Sequence, residues 1–165
     1  MNSLAIGMSR IRRAALTTSA LLALTIVHHA YGAIIYQTPW RFHVAPPALG
    51  AMVLLVVALV AHQQLGDSRG GRLARGVALA VIFGVVVGVG LLEGGYNHLF
   101  KTIVWAAGVP TPTLLRMFPP PMYVLPSSVV FEATGILQLV LGIVAARDGL
   151  RLWRAEFLGR PAPNS

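Results

Sequence analysis

Four apolar runs, at positions 14–36, 47–64, 76–100 and 126–146, take up most of a 165-residue chain. Each has about the length of a helix that crosses a ~30 Å hydrocarbon layer at 1.5 Å per residue. A backbone in hydrocarbon must satisfy its own N–H and C=O groups, and for runs this long that means helices. The expected fold is all-α: a polytopic integral membrane protein, a four-transmembrane-helix bundle forming one membrane domain over residues 1–165. Composition supports the class, with 56% hydrophobic and 11% charged residues, where a soluble domain carries about 25% charge.

The formal charge of +8 would suit nucleic acid, but its placement argues for a lipid surface. Ten of the 13 lysines and arginines lie before run one, between runs two and three, or after run four; only Arg41, Lys101 and Arg116 occupy the other two connections. This asymmetry predicts both termini and the middle loop in the cytoplasm of a bacterial-type inner membrane. The short loops lack a basic surface with base-stacking residues, so nucleic acid is not an expected partner. The basic flank of run one also resembles a secretory signal. Its apolar stretch continues through Ala33, Ile34, Ile35 and Tyr36, past the small residues Ala30 and Gly32 where a cut would fall, which favours retention.

Between the runs, residues 37–46 form a short outer connection and 65–76 (LGDSRGGRLARG) a polar inner turn. The longest connection, 101–125, is predicted as an outer cap between helices three and four, stiffened by prolines and holding a short interfacial helix at LLRMF. Loops of this length commonly carry function. Helix four is expected to start at Pro126 with Ser127 and Ser128 in its first turn, and an amphipathic tail covers 147–165, with Trp153 and Phe157 at the inner interface. Run two is apolar all round and is predicted to be the most lipid-exposed. Tyr36, Trp40, Trp105, Tyr123 and Trp153 suit the headgroup level. Gly84 with Gly88, and Gly90 with Gly94, are two small-xxx-small pairs suited to close helix packing.

Ionisable residues inside such runs are the functional signal, because an unpartnered charge in hydrocarbon is costly. Glu93 lies in run three, Glu132 in run four, and His28 and His29 in run one. Counted inward from the outer ends, His28, Glu93 and Glu132 share a depth of roughly 9–12 Å, while His43 and His98 are expected nearer the headgroups. Glu132 shares a face with Gly135, Leu139 and Gly142, and so points into the bundle. His28 and His29 straddle the stripe Thr18, Thr25, Gly32, which turns at least one inward. On a regular helix Glu93 and His98, five apart, diverge by roughly 140°. A break at Gly94–Gly95 would bring them to one cavity.

Cysteine is absent, which excludes thiolate sites and c-type haem. A metal would need nitrogen and oxygen ligands. His28, His29, Glu93, His98 and Glu132 are the candidate ligands for iron, manganese or zinc. The usual Glu-x-x-His spacing of bundle di-metal sites is missing. Haem b between His28 or His29 and His98 would need room for a porphyrin. Tyr96, Asn97 and Lys101 are candidate catalytic or substrate-contacting residues, although a lysine at a span's end more commonly snorkels to the interface. His62 reads as a helix-terminal residue remote from the rest. Two functions fit: a metal-dependent membrane enzyme or redox protein acting on a lipophilic small molecule, and a non-catalytic accessory subunit or small transporter whose carboxylates relay protons or fix helix packing. Membrane lipids are the expected surroundings, and a homo-oligomer or larger membrane complex the possible assembly. No phosphate loop, nucleophile elbow or zinc-protease signature is present.

Overall fold

Four helices are long and apolar enough to cross a membrane, and the described residues contain no strand. They are seen in a computed structural model that describes the backbone of residues 3–157 and the side chains of residues 10–154. Helix α1 runs Ser3–Ile35 and ends at Gln37, whose φ of 53° breaks the helical winding just before Pro39. A 3₁₀ turn, Pro39–Val44, leads into α2, Ala45–Leu65. The third crossing joins α3 (Arg69–Val85), a π-helical stretch (Val86–Phe100) and α4 (Lys101–Ala106) without interruption. Helix α5, Thr111–Met117, lies in the following connection, and α6, Val129–Phe157, completes the bundle.

Several boundaries differ from those expected. The inner turn 65–76 is mostly helix: Ser68 caps α3 by accepting a hydrogen bond from the Gly71 N–H at 3.1 Å, so only residues 66–68 turn the chain. A side-chain acceptor at that position satisfies an amide that the helix leaves open. Gly66 makes the reversal possible with a φ of 53°. The expected cap 101–125 begins later, because helix continues through Ala106. Helix four starts at Val129 rather than Pro126, with Ser128 Oγ accepting from Phe131 N–H at 3.3 Å. The tail is helical through Phe157; the Phe157 side chain and Arg160 lie outside the described residues. The short helix expected at LLRMF is α5.

Packing divides the bundle in two. At the end away from α5, Ala14, Leu55, Leu59, Ala78, Ile82, Ala145 and Leu152 make an apolar core drawn from all four crossings. Toward the α5 end the centre turns polar. Helix α2 buries the smallest share of its crossing, 22%, in keeping with its uniformly apolar surface. The two glycine pairs play different parts. At Gly90 and Gly94 the backbone touches α6, where Gly90 meets Gly142 Cα, and Gly94 meets the Gly135 carbonyl and the Leu139 backbone. Gly84 and Gly88 face open space, so the packing role expected of that pair is not theirs.

Candidate functional site

The π-helical stretch resolves the divergence between Glu93 and His98. Hydrogen bonds to the fifth residue widen the coil, so five positions turn the chain roughly 50° past a full circle instead of 140°. Both side chains then face the bundle centre, with His98 Nε2 3.4 Å from Glu93 Oε1. No break occurs at Gly94–Gly95; the winding changes over the whole of Val86–Phe100. His98 therefore does not lie apart from the other polar groups, as its sequence position suggested, but is 2% exposed and packed against His28 and Glu93. Its ring occupies the space left by the missing side chain of Gly135, against which a Cβ would collide.

Glu93 Oε1 is the focus. His28 Nε2 lies 3.8 Å away, His29 Nε2 3.5 Å and His98 Nε2 3.4 Å. The ligating atoms of His28, His29 and Glu93 all fall within 4.8 Å of one another. Adjacent residues on α1 reach one oxygen because the two rings are set edge to face, 87° apart with centroids at 5.3 Å. The other carboxylate oxygen, Oε2, accepts from Asn97 Nδ2 at 2.8 Å, which fixes the plane of the acid.

The surrounding contacts decide which nitrogens are free. Thr134 Oγ1 donates to the Val130 carbonyl at 2.8 Å, one helical turn back. With its hydrogen on that carbonyl, the shortest of its contacts, the hydroxyl accepts from His28 Nδ1 at 2.9 Å, an assignment that places the proton on Nδ1 and a lone pair on Nε2. That Nε2 is buried without a hydrogen-bond partner. His98 donates from Nδ1 to Glu132 Oε2 at 2.8 Å, which likewise leaves Nε2 pointing at Glu93. A carboxylate behind an imidazole in this way is the arrangement that orients metal-ligating histidines.

Glu132 itself is turned from the cluster's focus. It accepts from His98 and from Thr102 Oγ1 at 3.3 Å, and its Oε1 is 3.1 Å from Lys101 Nζ. Lys101 does not snorkel outward: it is 2% exposed and donates to the Val124 carbonyl at 2.8 Å. Tyr96 lies away from the cluster, packed on Phe100 and Phe118. His43 stacks on Trp40 at the exposed 3₁₀ turn, and His62 is buried near the opposite end, bonded to the Gly71 carbonyl at 3.2 Å. His28 and His98 have ring centroids 4.6 Å apart, too close to hold a porphyrin between them.

A cavity of about 320 Å³ opens beside the cluster, lined by His29, Glu93, His98, Lys101 and Phe131, with Arg41 and Trp40 toward the α5 end. Phe131 joins the parts, stacking on His28 at 4.2 Å with its edge toward His98 at 5.0 Å. Asn97, a candidate site residue from the sequence, is at the site and clamps the Glu93 carboxylate, whereas Arg41, Phe131, Thr134 and the deeper pair Thr25 and Gln138 were not singled out as site residues. The only advance signal for Thr25 was its place on a small, polar stripe. No protein-family model matches the chain, and neither does any curated protein or solved structure, so the chemistry is read from geometry.

Proposed function

We propose that the protein is a membrane metalloprotein in which His28, His29 and Glu93 hold one divalent first-row metal ion, while His98 faces the same Glu93 oxygen from outside that set. The observation that carries this reading is the buried lone pair of His28 Nε2, fixed in its tautomer by Thr134 and directed at Glu93 without a hydrogen-bond partner. A tetrahedral ion with bonds of about 2.1 Å sets its ligand atoms about 3.4 Å apart. The two nitrogen-to-oxygen distances within that set, 3.5 and 3.8 Å, are close to that edge. Two imidazoles and a carboxylate on one side of an ion suit zinc as a Lewis acid or iron or manganese in redox chemistry. The adjoining cavity is the route by which a lipophilic substrate reaches the ion. Glu132 and Lys101 position His98, and Asn97 positions Glu93.

The basic asymmetry of the connections supports a bacterial-type inner membrane with cytoplasmic termini, which sets the metal beneath the outer leaflet. Metal analysis of detergent-purified protein, reloaded separately with zinc, iron(II) and manganese, checks the reading. One equivalent of one metal is expected, lost in Glu93→Gln and His28→Ala with helical content retained, and kept in His43→Ala. Wild-type protein that takes up none of the three refutes it.

A second reading has one observation in its favour. Glu132, His98 and Glu93 form an alternating chain of acid, imidazole and acid, with links of 2.8 and 3.4 Å, suited to proton transfer in an accessory subunit or small transporter. Metal-free wild type whose proton uptake changes in Glu93→Gln and Glu132→Gln is the result that would favour it.

A further inference from the structure

Arg41 stands near the start of its crossing, Pro39–Leu65, yet it folds inward and is 4% exposed. Its Nε donates to Thr38 Oγ1 at 2.9 Å and its Nη2 to the Met122 carbonyl at 3.4 Å. The guanidinium carbon lies 4.9, 5.5 and 5.8 Å from the ring centroids of Trp40, Phe131 and Tyr36. Every group in direct contact with it is neutral. Among the described residues no carboxylate oxygen lies within 4.0 Å of the guanidinium; the charge of Glu93 acts on it only at longer range, across the cavity that both residues line, and leaves its free N–H groups without a direct anionic partner.

A guanidinium keeps its charge in proteins and offers five N–H donors, of which two are used here. Burial of such a charge is strongly unfavourable unless an anion answers it. Neutral acceptors and aromatic faces offset only part of that penalty. Arg41 lines the same cavity as His29 and Glu93, and the wall around it is aromatic and apolar: Trp40, Val44, Met122 and Phe131. A planar fork at the mouth, an apolar wall and a volume of about 320 Å³ define a complementary ligand.

We propose that Arg41 is the receptor for the anionic oxygen head of an amphiphile, a carboxylate or phosphate, whose apolar body lies along Trp40, Met122 and Phe131 in the cavity. The site deepens the metalloprotein reading by giving its substrate an acidic class, but anion binding at Arg41 needs no metal.

The experiment uses the full chain carrying Trp105→Phe and Trp153→Phe, so that Trp40, beside Arg41, is the only tryptophan. The protein in phosphatidylcholine nanodiscs with EDTA is titrated with decanoate and with decanol, compared at equal membrane-bound mole fraction, and Trp40 emission is read. The expected result is a decanoate response at least tenfold tighter than that of decanol, with the ratio falling to within about threefold in Arg41→Gln. Arg41→Lys, which keeps the charge and loses the planar fork, carries the comparison if Arg41→Gln does not fold, and is expected to lose most of the preference. Equal responses in wild type, or an undiminished preference in either variant, overturn the proposal. Discs containing phosphatidylglycerol distinguish the sources. A decanoate response that persists in them assigns a free lipophilic acid, whereas one replaced by the phospholipid's own Arg41-dependent response assigns a lipid phosphate. Because EDTA is present throughout, failure of metal binding and failure of anion binding are separate results.

Discussion

Substituting Gly94 by alanine tests whether the close approach of the π-helical stretch to α6 is what assembles the site. A Cβ at Gly94 would stand 3.0 Å from the Gly135 carbonyl oxygen and 3.0 Å from Leu139 Cα, and closer still to the Leu139 amide nitrogen, all of them backbone atoms that cannot rotate away. Carbon atoms rest at about 3.5–4.0 Å, so the two helices must separate by roughly 0.5–1 Å. That displacement carries the His98 to Glu132 contact from 2.8 Å to about 3.3–3.8 Å, at or beyond the limit of a useful hydrogen bond. Overpacking costs about 1–3 kcal/mol and loss of a charge-assisted hydrogen bond about 1.5–3 kcal/mol. Replacing glycine within a helix returns at most about 1 kcal/mol. The net expectation is a destabilisation of about 1.5–5 kcal/mol, measured by reversible unfolding in mixed dodecyl maltoside and SDS micelles with helicity as the signal. Gly88→Ala is the matched control: its Cβ meets nothing within 4 Å, so stability should hold or rise slightly. Equal losses in the two variants, or a Gly94→Ala within about 0.5 kcal/mol of wild type, would show that the interhelical glycine contact does not govern the bundle.

Glu132→Gln keeps the shape of the side chain but removes the charge behind His98 and opposite Lys101, so metal affinity should fall about 10–100-fold while stoichiometry is retained; complete loss of metal in competition titrations would make Glu132 a ligand rather than a support. Ser68→Ala removes the cap on α3 and should cost about 1 kcal/mol. Amide exchange should quicken at residues 69–72 with no change at the metal site, and exchange unchanged there would mean that the cap contributes nothing to the turn.

The class of the fold was fully legible, because four runs of membrane-crossing length allow few other arrangements. Element ends were legible where a breaker sat, as at Pro39. They were missed where polar composition disguised helix, as at Arg69: arginine favours helix as well as water, and the serine cap immediately before it outweighs two glycines. The gathering of His28, His29 and Glu93 was legible in two steps: depth put His28 and Glu93 at one level, and the small, polar stripe of helix one turned at least one of the two histidines inward. Lys101 was misjudged because snorkelling is the general habit of lysine at a span's end, and its inward turn depends on an acid from α6 and a carbonyl from the connection, both far away in sequence.

His98 shows where the limit lies. At 100° per residue it belonged on another face from Glu93, and no single residue between them announces a change of winding. The change comes from backbone contact: Gly90 and Gly94 press on α6, Gly135 leaves a space the size of an imidazole, and Glu132 waits behind it to accept the Nδ1 proton. Each of these glycines read separately as a packing device, and together they make a socket. A π-helical winding fits that socket because it brings positions five apart onto neighbouring directions, which places an acid and an imidazole side by side at a spacing a regular helix keeps apart. The same reasoning makes the winding itself subject to measurement: if Gly135→Ala expels His98 from its socket, the stretch loses its reason to stay wide, and ring resonances of His98 should lose their Glu132-bonded shift while those of His62, at the far end of the bundle, stay unchanged.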